Sequence, residues 1–105
     1  GLSGGSVTVR GGALHRQFLS GSHVTLSGPG VLRLRGGAEP INRSTVAILG
    51  SEARIEFLAQ TTEEVVRKHL RKITVDGEPA RDGVNVILTP DGAGCVLSVH
   101  TVGAS

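Results

Sequence analysis

The sequence predicts a mainly β fold, an antiparallel β-sandwich or jelly-roll-like arrangement of roughly seven or eight short strands with one short helix near 62–72. Three observations carry this. Apolar and polar residues alternate in short runs, the pattern of strands with one buried and one wet face. Gly, Pro and Ser punctuate the runs at turn-sized intervals. The core must also be aliphatic, because 105 residues hold no Trp, Tyr or Met, only two Phe (Phe18 and Phe57) and sixteen Gly. Val, Leu and Ile suit pleated sheets, and Gly suits the turns between them.

Taken in order, Ser6-Val7-Thr8-Val9-Arg10 puts Val7 and Val9 on one face, and His23-Val24-Thr25-Leu26-Ser27 does the same with Val24 and Leu26. Val31-Leu32-Arg33-Leu34-Arg35 sends Leu32 and Leu34 inward and both arginines outward. Thr45-Val46-Ala47-Ile48 and Arg54-Ile55-Glu56-Phe57 continue the alternation, which is the usual mark of antiparallel sheets. Ile73-Thr74-Val75 before Asp76-Gly77 reads as a strand entering a hairpin. Residues 84–89, the turn residues Pro90-Asp91-Gly92-Ala93-Gly94 and residues 95–102 form the strongest hairpin signal in the chain.

Residues 61–72 depart from the two-residue period. Thr61 and Glu64 have capping-box spacing, and Val66, Leu70 and Ile73 fall on one helical stripe. Glu63 with Arg67 and Glu64 with Lys68 are i, i+4 pairs in the favourable order, with acids leading and bases trailing. The competing reading is a charged edge strand running into Ile73, since no Gly separates the two. A second architecture also fits. The Gly-rich N-terminal third and its short strands suit a right-handed β-helix fragment, although no fixed repeat period supports one.

Residues 1–5 read as a flexible lead and residues 6–103 as a single β domain. No apolar run approaches the roughly 20 residues of a membrane-spanning helix. The lone Cys95 sits in an apolar run, reads as a buried inert thiol and excludes an internal disulfide. The compartment is left open. Net charge is +2, but residues 1–51 carry five Arg and one Glu while residues 52–105 carry six basic and eight acidic groups. Such a split favours head-to-tail contact between copies or with a neighbouring domain.

Few residues are spaced for chemistry. His15, His23, His69 and His100 show no ligand spacing, and Cys95 has no nearby Cys partner, so no metal is expected. Ser22, His23 and Asp76 include the residue types of a hydrolase but lack a nucleophile elbow. No phosphate-binding glycine loop is present, so no cofactor is expected. Arg10-Gly11-Gly12 and Arg35-Gly36-Gly37 are isolated RGG triplets, read as strand ends. Residues 31–37 resemble the tail of ubiquitin but are internal, and Asn42-Arg43-Ser44 is a chance glycosylation triplet. The basic candidates for polyanion contact are Arg33, Arg35, Arg67, Lys68, Arg71 and Lys72.

Lys72-Ile73-Thr74-Val75-Asp76-Gly77-Glu78-Pro79-Ala80 with the 84–102 hairpin resembles the final sheet of accessory β-sandwich domains attached to glycoside-processing enzymes. The resemblance implies a sugar-binding module. In those domains the sugar contacts are usually aromatic. The leading expectation is therefore a non-catalytic β domain acting in protein–protein contact or assembly, with another protein or copies of itself as partner. A carbohydrate-binding accessory module is the first alternative. Polyanion or nucleic-acid binding through a basic patch is the second, and the scarcity of aromatic side chains for base stacking argues against nucleic acid. An enzyme ranks last.

Overall fold

In a computed structural model the described residues are 2–3, 5–17, 19–35, 41–58, 62–92 and 94–100. The chain winds three times through the same three directions. The first coil comprises β1 (Leu2–Ser3), β2 (Ser6–Val9) and β3 (Ala13–Arg16); the second β4 (Leu19–Ser20), β5 (His23–Ser27) and β6 (Val31–Leu34); the third β7 (Ile41–Asn42), β8 (Thr45–Leu49) and β9 (Arg54–Phe57). Equivalent strands pair parallel from coil to coil: β1 with β4 and β4 with β7, β2 with β5 and β5 with β8, β3 with β6 and β6 with β9. The strands therefore stack as rungs of a coiled, solenoid-like body.

The C-terminal third of the chain ends the stack. Helix α1 (Glu63–His69) and a 3-10 turn (Leu70–Lys72) lead into β10 (Ile73–Val75), which adds parallel to β8; β11 (Glu78–Pro79) then folds back antiparallel. Strands β12 (Val86–Asp91) and β13 (Gly94–Val99) form a hairpin, and β13 pairs antiparallel with β9. The result is a three-stranded sheet, β1-β4-β7, and two five-stranded sheets, β11-β10-β8-β5-β2 and β12-β13-β9-β6-β3.

The fold is mainly β with one short helix, as the sequence predicts, but the sheets are mixed rather than antiparallel. The alternation misleads for a physical reason. Parallel sheets normally bury both faces because helices cover them. Here the chain returns to each sheet by way of the other two, so the outer faces stay bare and the period of two survives in parallel strands. The repeat itself is stretched. Val7, Val24, Val46 and Ile73 stand level in one sheet, yet lie 17, 22 and 27 residues apart. Leu14, Leu32 and Ile55 stand level in the other, 18 and 23 apart. A growing loop in each coil conceals the period.

The interior is one aliphatic cluster. Leu26, Leu32, Leu34, Ile48, Ile55, Leu97 and Ile73 are fully buried, with Phe57 as the single described aromatic ring among them. Each such side chain contributes about 1.5–3 kcal/mol. At one coil corner Ser22 and Ser44 are buried together: the Ser22 backbone N–H donates to Ser44 Oγ at 3.0 Å, and Ser22 Oγ donates to the Ser20 carbonyl at 3.2 Å. Burial of these hydroxyls is tolerated because each is hydrogen-bonded.

Two glycines are dictated by contact. A Cβ on Gly30 would stand 2.7 Å from the Val9 carbonyl oxygen, and one on Gly94 would overlap the Phe57 carbonyl. Both coils and hairpin close tightly only because these side chains are absent. The Asp76-Gly77 hairpin is as expected, with φ of 49° and 85° at the two central residues, and Asp76 Oδ1 accepts from the Gly50 N–H at 2.9 Å. The second hairpin differs. Pro90 and Asp91 continue β12 opposite Cys95 and Gly94, and an edge strand tolerates the proline. Val84, expected in that strand, lies in a turn held by Asn85, whose Oδ1 accepts from the Arg81 N–H at 2.6 Å. The helix is capped by Thr62, whose Oγ1 accepts from the Val65 N–H at 3.4 Å; Thr61 of the expected capping box lies outside the described residues.

Candidate functional site

All three sheets begin at the same end of the stack. There β1, β2 and β3 are edge strands, and on an edge strand alternate backbone N–H and C=O groups point away from the sheet. Val7 and Leu14 pack against the core but are only partly buried, whereas their equivalents one coil on, Val24 and Leu32, are fully buried. No Pro or Lys interrupts β2 or β3, the residues that usually blunt an exposed edge.

The opposite end is finished in three ways. Antiparallel β11 closes one sheet and carries Pro79; the β13–β12 hairpin closes another and carries Pro90. On the third, Lys72 Nζ donates to the Ile41 carbonyl of β7 at 2.8 Å. Val66 and Leu70 of the helical segment lie in the core cluster.

Charge follows the same axis. Among residues 5–35 the formal charges are Arg10, Arg16, Arg33 and Arg35, with no Asp or Glu. The outward row of the β3-β6-β9 sheet runs His15, Arg33, Glu56. Arg33 Nε donates to Glu56 Oε1 at 3.0 Å, and Arg54 Nε donates to Glu56 Oε2 at 2.8 Å. Burial pushes the Glu56 carboxyl up, but the hydrogen bond from Arg54 and the charges of Arg33 and Arg54 outweigh it, holding Glu56 below the ordinary glutamate range. Arg33 Nη1 lies 3.4 Å from His15 Nε2, and Arg16 Nη1 donates to the His15 carbonyl at 2.8 Å. Beside this row His15, Arg16, Gln17, Arg33, Arg35 and Leu58 line a groove of about 390 Å³.

The six basic residues singled out in the sequence are thus not one patch. Arg33 and Arg35 face this groove. Arg67 is paired with Glu63 at 3.5 Å and with Asp82 at 3.0 Å, and Lys72 is committed to Ile41. Lys68 and Arg71 are exposed on the helical segment. Sequence reasoning misses His15, Arg16, Gln17 and Leu58. The 18- and 23-residue offsets, which set His15 level with Arg33 and Glu56 and Arg16 level with Leu34, are the signal that could have found them.

Ser22, His23 and Asp76 are not brought together. Ser22 is buried against Ser20, His23 Nδ1 meets Thr45 Oγ1, and Asp76 holds Gly50. Among the described residues no three His, Cys, Asp or Glu side chains gather as a metal site. Phe57 is buried and Phe18 lies outside the described residues, so no described Phe, Tyr or Trp ring offers a sugar platform. Val31–Leu34 of the ubiquitin-like stretch is interior strand β6, paired on both sides; Gly36-Gly37 falls outside the described residues. No described helix is long and apolar enough to cross a membrane. Comparison with protein-family models, with curated proteins and with solved structures finds no match for this chain.

Proposed function

We propose that this chain is a non-catalytic β domain that works by protein–protein contact, and that the partner adds an extended, Asp- or Glu-bearing segment to the open end of the stack. The observation that carries the reading is the contrast between ends: three strand edges without a partner strand among the described residues, with half-covered Val7 and Leu14, on one; prolines, a hairpin and a helical segment on the other. Strand addition satisfies edge backbone groups directly, while alternate side chains supply specificity. The absence of any Asp or Glu among residues 5–35 makes an acidic segment the complementary one. A second copy would bring the same arginines against their like, which disfavours pairing of open end with open end.

The test is a titration followed by amide NMR and hydrogen exchange, using a peptide that alternates Val with Glu and its Val/Lys counterpart. The Glu peptide should shift and protect β2 and β3 amides, and binding should weaken with salt. Thr8→Pro in β2 should abolish it, with exchange at β6 and β9 checking that the fold persists. Equal binding of the Lys peptide, or shifts at the β11/β12 end, would overturn the proposal. So would light scattering that shows a dimer broken by Thr8→Pro, because the occupant would then be a second copy.

A further inference from the structure

We infer that the groove between β3, β6 and the residue following β9 is a binding site for the phosphate or sulfate group of a small organic ester. This site stands on the groove alone and not on strand addition at the open end.

Five of its six described lining residues carry N–H donors: His15, Arg16, Gln17, Arg33 and Arg35. None of the six is a carboxylate. The nearest acid in the row, Glu56, already accepts from both Arg33 and Arg54, so it is spent as a counter-charge. Arg33 is held in place by that bond and by its approach to His15, which orders one guanidinium before any ligand arrives. Arg16 is likewise tethered through Nη1 to the His15 carbonyl. Among the described residues the Arg35 side chain has no hydrogen-bonded or ion-paired partner, and it is exposed on the same face. Two anchored guanidinium groups and one uncommitted one therefore line a concave surface on which, among the described residues, Glu56 is the one acid engaged with them, through Arg33.

Planar guanidinium forks match tetrahedral oxyanions with two parallel hydrogen bonds, the strongest polar contacts available to a side chain. Gln17 adds a neutral donor of the kind that fixes orientation. Leu58, at 36% exposed, is the apolar wall. That wall has no use for a bare ion, and it selects a ligand whose oxyanion carries an apolar or ring-shaped body. The volume of about 390 Å³ falls within the range of small-molecule sites. Lys68 and Arg71 of the helical segment do not line the groove. A long polyanion spread over all the basic residues would use them, whereas a small ester would not.

The experiment titrates the protein with phenyl phosphate, phenyl sulfate and inorganic phosphate, followed by amide NMR. Saturable shifts should centre on Gln17, Arg35 and Leu58, and the phenyl esters should bind more tightly than inorganic phosphate. The ratio of the two esters assigns the site to phosphate or to sulfate. Arg35→Gln should weaken ester binding about tenfold, the loss of one charge-assisted fork. The double variant Lys68→Gln with Arg71→Gln should leave it unchanged, as should Thr8→Pro at the strand edge. No saturable shift with either ester, an Arg35→Gln variant that binds as well as the parent, or equal loss in the helical double variant would overturn the inference. Tight binding of heparin without binding of either ester would overturn it too, in favour of a long polyanion.

Discussion

Leu14 on the first coil and Ile55 on the third stand level in the same sheet, two rungs apart, yet their surroundings differ. Leu14 packs against the core from an edge strand and stays partly exposed, while Ile55 has a strand on either side and is fully buried. The same holds for Val7 and Val46. A coiled stack buries a residue by placing another rung above it, so position along the axis decides burial more than residue type does. At the β11/β12 end antiparallel strands and the helical segment play the part of that missing rung. At the β2/β3 end nothing among the described residues does. A parallel edge with no partner strand among the described residues invites pairing, which is the physical reason for placing the contact there.

The sharpest way to break this contrast is a methyl group on each side. Gly94→Ala drives a Cβ into the Phe57 carbonyl, where β13 meets β9. Backbone must move, and the cost is expected at about 3 kcal/mol or more. Gly12→Ala, before β3, meets nothing within 4 Å and strains only its φ of +71°, for about 1 kcal/mol. Urea denaturation of the two variants measures both. Equal losses would mean that the two ends are equally committed.

Truncation within one row comes next. Ile55→Ala empties a site with neighbours on every side and should cost about 3–4 kcal/mol, whereas Leu14→Ala at the edge should cost about 1 kcal/mol, because solvent already reaches it. A Leu14→Ala loss as large as that of Ile55→Ala would show that the first coil is covered in solution. It would therefore argue for self-association through the open end.

Cys95 supplies a readout that leaves stability untouched. Burial, and then the nearby charge of Glu63, push its thiol up to about 11 against a smaller opposing effect of Arg67. The group is neutral and inaccessible in the folded chain, so a thiol reagent should label it only when the β13 region opens. A Leu14→Cys variant should be labelled far faster at its new thiol than at Cys95, with the two rates converging in urea. Fast labelling of Cys95 under native conditions would mean that the finished end frays as readily as the unfinished one.

Elements differ in how plainly the sequence announces them. Strands 23–27, 54–57 and 73–75 are legible because their alternation is unbroken, and the Val66-Leu70-Ile73 stripe is legible because all three residues enter the core. Strand Ala13–Arg16 escapes notice because its His and Arg sit on an uncovered edge, where no apolar partner demands a pattern. The two-residue strands Leu19–Ser20 and Ile41–Asn42 are too short for any period. Parallel pairing is hidden by coil lengths that grow from 17 to 22 to 27 residues, since a repeat is recognised by a constant offset. Arg33 and Arg35 are visible as outward residues, but their companions His15 and Arg16 become neighbours only once the coil offset is known.

The smallest expected effect concerns Glu56, the one carboxylate on the row that joins the basic first coils to the rest of its sheet. Its folded pKa is lowered by its arginines, in spite of burial, so its contribution to stability is complete above the ordinary glutamate value of 4.5 and is lost as pH falls through the lower folded value. Acid should therefore release Arg33 and Arg54 together. Glu56→Gln should flatten that part of the stability–pH curve while lowering neutral-pH stability only slightly, because Arg33 and Arg54 are partly exposed and such pairs are worth about 0–1 kcal/mol. The variant also leaves the groove arginines without their counter-charge. If they repel one another as the row implies, added phosphate should stabilise Glu56→Gln more than the parent chain. An identical response in both proteins would mean that the row carries no net strain, and that the charge asymmetry between the two ends is only a property of their solvated surfaces.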